Sequence, residues 1–274
     1  MNNYLDSIIY AINQAQEAIL HCIKNKESKI IVKEKNSDLT RKVDLIAEEK
    51  IEESLKNEGI EAYLVSEETP FKKIGEKIKP ELMIVVDPLD GTRNFVNSIP
   101  FYSISIAVGK FNEYLQLNDL FIGVVKDVLR GDLFYAVKGE GAYYNNKKII
   151  INEKVFYEKD KPLISLYTYG NNVLSIKVFL SLLKEFKIRV LGSLALELCY
   201  TALGRLDGVI DARKKARIVD FAAGKVILEE AGGVISSLNG TSIKASLKDV
   251  KKGFNIIAAK TEDFHKVLVN TVKT

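Results

Sequence analysis

The segment from Leu82 to Phe95 constrains this chain more than any other. Leu82-Met83-Ile84-Val85-Val86 is an unbroken apolar run of strand length, and it reads as a buried strand. It empties at once into Asp87-Pro88-Leu89-Asp90-Gly91-Thr92-Arg93-Asn94-Phe95. Pro88 ends regular pairing and Gly91 permits a tight turn. Two carboxylates three residues apart therefore leave the strand end together. The next N–H groups, of Gly91 and Thr92, are free to point into the same space, and a short helix starting there favours an anion at its N-terminus. Two anionic ligands beside a phosphate nest make sense when divalent metal ions sit between the carboxylates and a phosphate ester. A plain Asp-Gly turn capped by Asp87 is the alternative these residues leave open.

Other acids fall at comparable places. Thr40 is placed to cap a helix running through Val43, Ile46 and Ala47 to Leu55, with Asp44 in its early turns. Ile60–Val65 reads as a strand that ends in Ser66-Glu67-Glu68-Thr69-Pro70. Asp220 opens the apolar helix Phe221–Leu228, which Gly232-Gly233 terminates. Each acid has a local explanation, as a polar loop or a carboxylate at a helix start. Taken together, acids delivered by separate rigid elements are how metal sites are assembled.

The remaining pattern predicts an α/β (α+β) chain. Asn3–Ile23 carries Leu5, Ile8, Ile9, Ile12, Ala15 and Ile19 at helical spacing. Glu27–Lys35 is a strand or a mobile hairpin, followed by a loop signal at Asn36-Ser37-Asp38. Phe101–Lys110, Leu120–Leu129 and Gly131–Lys138 read as consecutive antiparallel strands flanked by the two early helices, with Arg130-Gly131-Asp132 as a turn. The polar stretch Asn152–Pro162 suits a boundary between a domain of residues 1–155, carrying most of the acids, and a mixed α/β domain of 156–274. In the second half, Leu163–Tyr167 and Ile188–Val190 read as strands, Val173–Phe186 as a helix, and Leu191–Arg205 as a close-packed helix. Leu206–Ile210 is a strand ending at Asp211. His21 and His265 fall within helices and read as surface or packing residues.

Composition narrows the function. The 274 residues are 47% hydrophobic, enough for a real core rather than disorder. A formal charge of +4 is spread along the chain, with no concentrated basic block of the sort nucleic-acid binding requires. No apolar stretch reaches membrane-spanning length, and Met1–Asp6 lacks the pattern of a secretory signal. Two cysteines, Cys22 and Cys199, cannot make a disulfide framework and fit a reducing compartment, so a cytoplasmic protein is expected. Abundant Lys, Glu and Ile resemble a thermophile composition.

The motifs in their order resemble the inositol monophosphatase family across almost the whole chain. Asp87–Phe95 resembles its Asp-Pro-x-Asp-Gly-Thr signature, Ser66-Glu67-Glu68 its Gly-Glu-Glu motif, and Thr40 with Asp44 its upstream Thr/Asp element. Val219-Asp220-Phe221-Ala222-Ala223-Gly224 resembles its Trp-Asp-x-Ala-Gly motif, with Val219 at the Trp position. The resemblance implies a layered α-β-α-β-α fold and hydrolysis of small phosphate monoesters by metal-activated water, with two or three Mg²⁺ ions and no phosphoenzyme. Carried over residue by residue, Glu67, Asp87, Asp90, Asp220 and the Leu89 carbonyl match metal ligands. Asp44 and Thr92 match the pair that positions or activates the attacking water, and Gly91 with Thr92 the turn that receives phosphate. Glu68 assists the metal network without being a primary ligand. Asp211 matches an acidic position near the substrate hydroxyls, and Gly192-Ser193 also fall at family positions. Arg93 is expected to face the crevice, and Arg213 with Lys214 to meet a second phosphate. Inositol monophosphate and fructose 1,6-bisphosphate are thus the expected substrates, both taken by archaeal-like members. A phosphatase for 3′-phosphoadenosine 5′-phosphate or a similar nucleotide is the alternative, favoured by an aromatic wall, and an inactive interaction protein the third reading. The resemblance also implies a homodimer and an active-site loop at Glu27–Asp38.

Overall fold

The computed structural model describes residues 2–24, 31–35, 38–67, 69–111, 116–151, 161–167 and 173–273. The first half runs α1 (Asn2–Lys24), β1 (Ile31–Lys35), β2 (Asp38–Arg41), α2 (Lys42–Asn57), β3 (Ala62–Ser66), β4 (Lys72–Ile74), β5 (Leu82–Asp90) and α3 (Thr92–Val96). It continues through β6 (Ser103–Lys110), β7 (Leu120–Asp127), β8 (Leu133–Val137), β9 (Gly141–Tyr144) and β10 (Lys147–Lys148). The second half comprises β11 (Leu163–Tyr167), α4 (Val173–Leu182), β12 (Lys187–Arg189), α5 (Leu194–Ala202), β13 (Gly208–Ala216), α6 (Ile218–Glu230), β14 (Val234–Ser236), β15 (Phe254–Ala259) and α7 (Glu262–Lys273).

Two sheets carry the chain. The eight-stranded sheet is ordered β10-β9-β8-β7-β6-β5-β3-β4, antiparallel throughout except for β3 beside β5. The five-stranded sheet is ordered β12-β11-β13-β15-β14, with β11 parallel to both its neighbours and β15 antiparallel to both of its own. The two-residue period of a strand sorts the apolar side chains into separate cores. On β5, Ile84 and Val86 join the core under α1 and α2, with Ile8, Ile12, Val43 and Ile51. Met83 and Val85 point the other way, into the core shared with α5 and α6. On β15, Ile256 and Ala258 reach that same middle core, whereas Ile257 and Ala259 face α4 and α7 through Val178, Leu182 and Leu268. The layers are therefore α1/α2, the large sheet, α5/α6, the small sheet and α4/α7, as the layered α-β-α-β-α expectation requires.

The middle layer explains why α6 is apolar nearly all round. Ile218, Val219, Phe221, Ala222, Ala223, Val226, Ile227 and Leu228 are all buried. A helix covered on every side has no polar face to give to water. It also lies close to the large sheet: a Cβ on Gly123 of β7 would stand 2.5 Å from the Ala223 carbonyl oxygen, so only glycine fits there.

The structure departs from the sequence reading in several details. Thr40 lies in β2, and the helix starts at Lys42 rather than behind a Thr40 cap. The helix expected from Leu191 begins at Leu194, because the backbone of 191–192 is engaged elsewhere. The short edge strand β4 carries no clear alternation and was not anticipated. β1 lies in the stretch expected as a strand or hairpin and pairs antiparallel with β2, but residues 27–30 and 36–37 of the expected active-site loop, most of the Asn152–Pro162 boundary and Glu68 lie outside the described residues. His265 is buried, with Nε2 2.7 Å from Ser236 Oγ, and packs as expected, while His21 is exposed.

Candidate active site

A cavity of about 710 Å³ opens where β5 ends, and the acids singled out in the sequence converge on it. Glu67 follows β3, Asp87 and Asp90 close β5, and Asp220 sits in the first turn of α6; all four line the cavity. Leu89, Gly91, Thr92, Arg93, Gly192 and Arg213 line it too. Asp44, Ser193 and Asp211 do not line it, although all three are buried.

The turn after β5 has the expected construction. Asp87 Oδ1 accepts the Leu89 N–H at 3.0 Å, and the Thr92 hydroxyl donates to the Leu89 carbonyl at 3.0 Å. Gly91 has φ +96°, and a Cβ there would stand 3.1 Å from the Phe101 carbonyl oxygen and 3.2 Å from that of Gly192. The left-handed conformation therefore favours glycine, and the tight space adds to the cost of a side chain. Asp90 is anchored from the second half of the chain, with Oδ2 accepting from Ser193 Oγ at 2.7 Å and from the Ala195 N–H at 2.8 Å. Ser193 Oγ lies 3.0 Å from Ser103 Oγ as well. This serine was expected at the substrate; it is fully buried and holds a cavity acid in place instead.

Asp211 is a second such correction. Both its oxygens are taken by Arg213, which donates from Nε to Oδ1 at 2.9 Å and from Nη2 to Oδ2 at 2.6 Å. Arg213 also lies over the Tyr167 ring, 4.4 Å from its centroid. Asp211 is completely buried and does not line the cavity; it holds Arg213, which does. Beyond Arg213, exposed Lys214, Lys215 and Lys251 join exposed Arg93 as a cationic rim, opposite in sign to the acidic floor.

Sequence reasoning missed three residues that shape the site. Asn94 ties α3 to the facing loop by donating from Nδ2 to the Phe101 carbonyl at 2.7 Å and the Leu191 carbonyl at 2.6 Å. Glu197 of α5, fully buried, accepts the Leu191 and Gly192 N–H groups at 3.1 and 3.0 Å and so fixes the same loop. Arg217, just before α6, reaches Glu67 with Nη1 at 2.6 Å and Nη2 at 2.8 Å, and Asp220 with Nη2 at 3.1 Å. Its place three residues ahead of Asp220 at a helix start was the available signal for the Asp220 contact. Nothing local could reveal Glu67 as a partner.

The electrostatics follow from burial and crowding. Asp87 is held well above the usual carboxylate range, by burial first and then by the charges of Asp90, Glu67 and Asp220, with Arg217 opposing. Asp90 is pushed up to about 7 by burial and by Asp220, against the hydrogen bonds from Ser193 and Ala195. Burial pushes Glu197 up to about 8. Arg217 is desolvated, yet Asp220 and Glu67 outweigh that and hold it protonated. Four carboxylates on one wall against one bound guanidinium leave surplus negative charge, and hard oxygen donors of this kind suit a small divalent cation. Among the described residues no three acids converge closely enough to hold an ion as they stand; Arg217 spans Glu67 and Asp220 instead.

Comparison with known proteins agrees with this geometry. The profile of the inositol monophosphatase family matches residues 3–274. The chain belongs to that family. Among its relatives is a fructose-1,6-bisphosphatase/inositol-1-monophosphatase of Methanothermobacter thermautotrophicus, 36% identical over 85% of this chain and 83% of the relative. A bifunctional NADP phosphatase/NAD kinase of Methanococcus maripaludis is 39% identical over 84% of this chain but only 42% of its own length, so the chain spans less than half of that relative. A Pyrococcus horikoshii structure described as having similarities to inositol-1 monophosphatase superposes with a TM-score of 0.79 at 31% identity, over 98% of both chains. Membership of the inositol monophosphatase family accounts for the layered fold.

Proposed function

We propose that this chain is a Mg²⁺-dependent phosphate monoester hydrolase acting on small phosphorylated polyols or sugars, with inositol monophosphate and fructose 1,6-bisphosphate as its substrates. The observation that carries the reading is the meeting of Glu67, Asp87, Asp90 and Asp220, from three separate stretches of chain, on one cavity wall beside the Gly91–Thr92 turn. These carboxylates and the Leu89 carbonyl would hold two or three ions. When bound, the ions offset the charge of the phosphoryl group and acidify the attacking water. The backbone N–H groups of Gly91 and Thr92 receive the phosphoryl oxygens. Thr92 has already committed its hydroxyl proton to Leu89, so its oxygen is oriented to accept from a water. Asp44 is assigned the activation of that water on its motif match, since it does not line the cavity. Attack opposite the ester oxygen breaks the P–O bond and releases inorganic phosphate and the alcohol.

The cationic rim favours a substrate with a second anionic group, held by Arg213 and its lysine neighbours. A nucleotide phosphatase is the second reading, since one relative is named an NADP phosphatase. Against it, Tyr167 is the one aromatic residue among the described residues lining the cavity, and Arg213 covers its ring, so no adenine-stacking wall is offered. The retained acids argue against an inactive interaction protein. We also take residues 1–155 and 156–274 as two units, a division supported by one sheet falling on each side. A homodimer is proposed as well; exposed Ile176 and Leu180 on α4, with Val190, leave apolar surface for it. A cytoplasmic location is proposed on composition, and none of the described helices is long and apolar enough to cross a membrane.

Phosphate release at saturating Mg²⁺ tests the reading, with inositol 1-phosphate, fructose 1,6-bisphosphate, fructose 6-phosphate, 3′-phosphoadenosine 5′-phosphate and NADP compared by kcat/KM. The first two should lead. A higher kcat/KM for either nucleotide would replace the sugar assignment, and release that is insensitive to chelation would end the metal reading.

A further inference from the structure

Arg217 occupies an unusual position for a cation. Its guanidinium engages both oxygens of Glu67 and Oδ1 of Asp220, while its backbone N–H gives 2.8 Å to Asp220 Oδ2. Glu67 follows a strand of the large sheet, and Asp220 belongs to the helix between the sheets, 153 positions further along the sequence (220 less 67). One side chain thus cross-links two cavity acids that the chain delivers independently. Arg213, the neighbouring guanidinium on this wall, is bound to Asp211, so the two arginines have separate partners.

We propose that Arg217 is a built-in counter-cation that competes with the divalent ions for Glu67 and Asp220. The inference rests on the metal assignment above and adds a tuning element to it. The argument is one of shared oxygens. A carboxylate that gives one lone pair of each oxygen to a guanidinium has only the outer lone pairs left for a cation, and the guanidinium's own charge repels that cation, so an ion is held well only as Arg217 lets go. Ion affinity is then the difference between what the ion gains and what releasing Arg217 costs. Arginine does not lose its proton under ordinary conditions, so the competitor is always charged. In exchange, Arg217 neutralises part of an acid cluster that would otherwise repel itself whenever ions are scarce. The same residue that weakens ion binding therefore stabilises the protein without ions, and linkage requires the two effects to accompany each other.

The test uses Mn²⁺ alone as the probe, on the full chain, by isothermal titration calorimetry and by melting in chelator and in excess Mn²⁺. Wild-type protein that binds no Mn²⁺ would defeat the metal assignment itself, separately from the competition. Given wild-type binding, Arg217→Met should bind Mn²⁺ about tenfold tighter, the scale of a charged hydrogen-bond pair partly open to solvent. It should also melt lower than wild type in chelator, with the deficit shrinking in excess Mn²⁺. Arg217→Lys keeps the charge but cannot bridge both acids, so its affinity should fall between the two. If Arg217→Met folds only when Mn²⁺ is present, that outcome supports the proposal. Unchanged or weaker Mn²⁺ binding in both variants, or a melting deficit equal with and without Mn²⁺, would show Arg217 to be a structural brace and overturn the competition.

Discussion

Removing Asp211 separates the two roles open to it. Read from sequence, this acid touches substrate; in the structure it is completely buried and wholly committed to Arg213. The pair is largely hidden from solvent, with side-chain exposures of 10% for Arg213 and 0% for Asp211. Breaking such a pair from one side costs about 3–5 kcal/mol, because the remaining charge loses its partner. At roughly 2–4 °C per kcal/mol for a chain of this size, Tm should fall by about 6–20 °C. The two single variants should differ in kind. Arg213 lines the cavity, so in Asp211→Ala its guanidinium can turn toward water, placing the loss at the lower end. Arg213→Ala strands a carboxylate with no route to solvent. Its deficit should accordingly be the larger of the two. The double variant Asp211→Ala/Arg213→Ala removes both charges and should cost at least about 2 kcal/mol less than the sum of the singles. Urea unfolding of the four proteins provides the cycle, and kcat/KM for fructose 1,6-bisphosphate should drop by similar factors in the two singles. Additive stabilities, together with an activity loss confined to Asp211→Ala, would refute the pairing argument and restore direct substrate contact.

Two further outcomes follow from the buried acids. Asp90, raised from an ordinary 3.8 to about 7, favours the fold only in its protonated form, so stability in chelator should be greatest at low pH and decline as pH rises through 7. Asp90→Asn should flatten that decline while lowering kcat/KM at least about a hundredfold; thermal melts across pH and Mg²⁺-dependent phosphate release check both halves. Glu197, pushed up to about 8, is protonated at neutral pH, so Glu197→Gln should be nearly neutral, whereas Glu197→Ala strips the Leu191 and Gly192 N–H groups of their acceptor at about 1–3 kcal/mol. Equal losses in the Gln and Ala variants, measured by urea unfolding, would mean that Glu197 acts as an anion.

The legible part of the site was the part encoded locally. Asp87, Asp90 and Asp220 sit at a strand end and a helix start that the apolar runs beside them mark out, and Glu67 closes a strand just as recognisable. Layering was legible too, because the unbroken apolar run of β5 and the all-round apolarity of α6 mark segments covered on both sides. What escaped notice were relations across the chain. Ser193 and Asp211 are expected at the substrate from the sequence, but only the fold reveals that they are turned inward to hold Asp90 and Arg213. Gly192 looked like part of a helix because its neighbours are helix formers, and a tertiary tie from Glu197 overrides that propensity. The contact between Arg217 and Glu67 spans 150 positions and has no local signature at all.

α6 opens with an acid of the cavity and then continues as the filling between both sheets. Its body has no freedom to slide or rotate without disturbing the packing on either side, so the position of Asp220 is inherited from residues roughly 9–12 Å down the helix, at a rise of about 1.5 Å per residue. Enlarging or trimming Val226 or Leu228 should therefore register in turnover as well as in melting. A survey of substitutions scored by activity alone would count those distant apolar positions as part of the reaction centre.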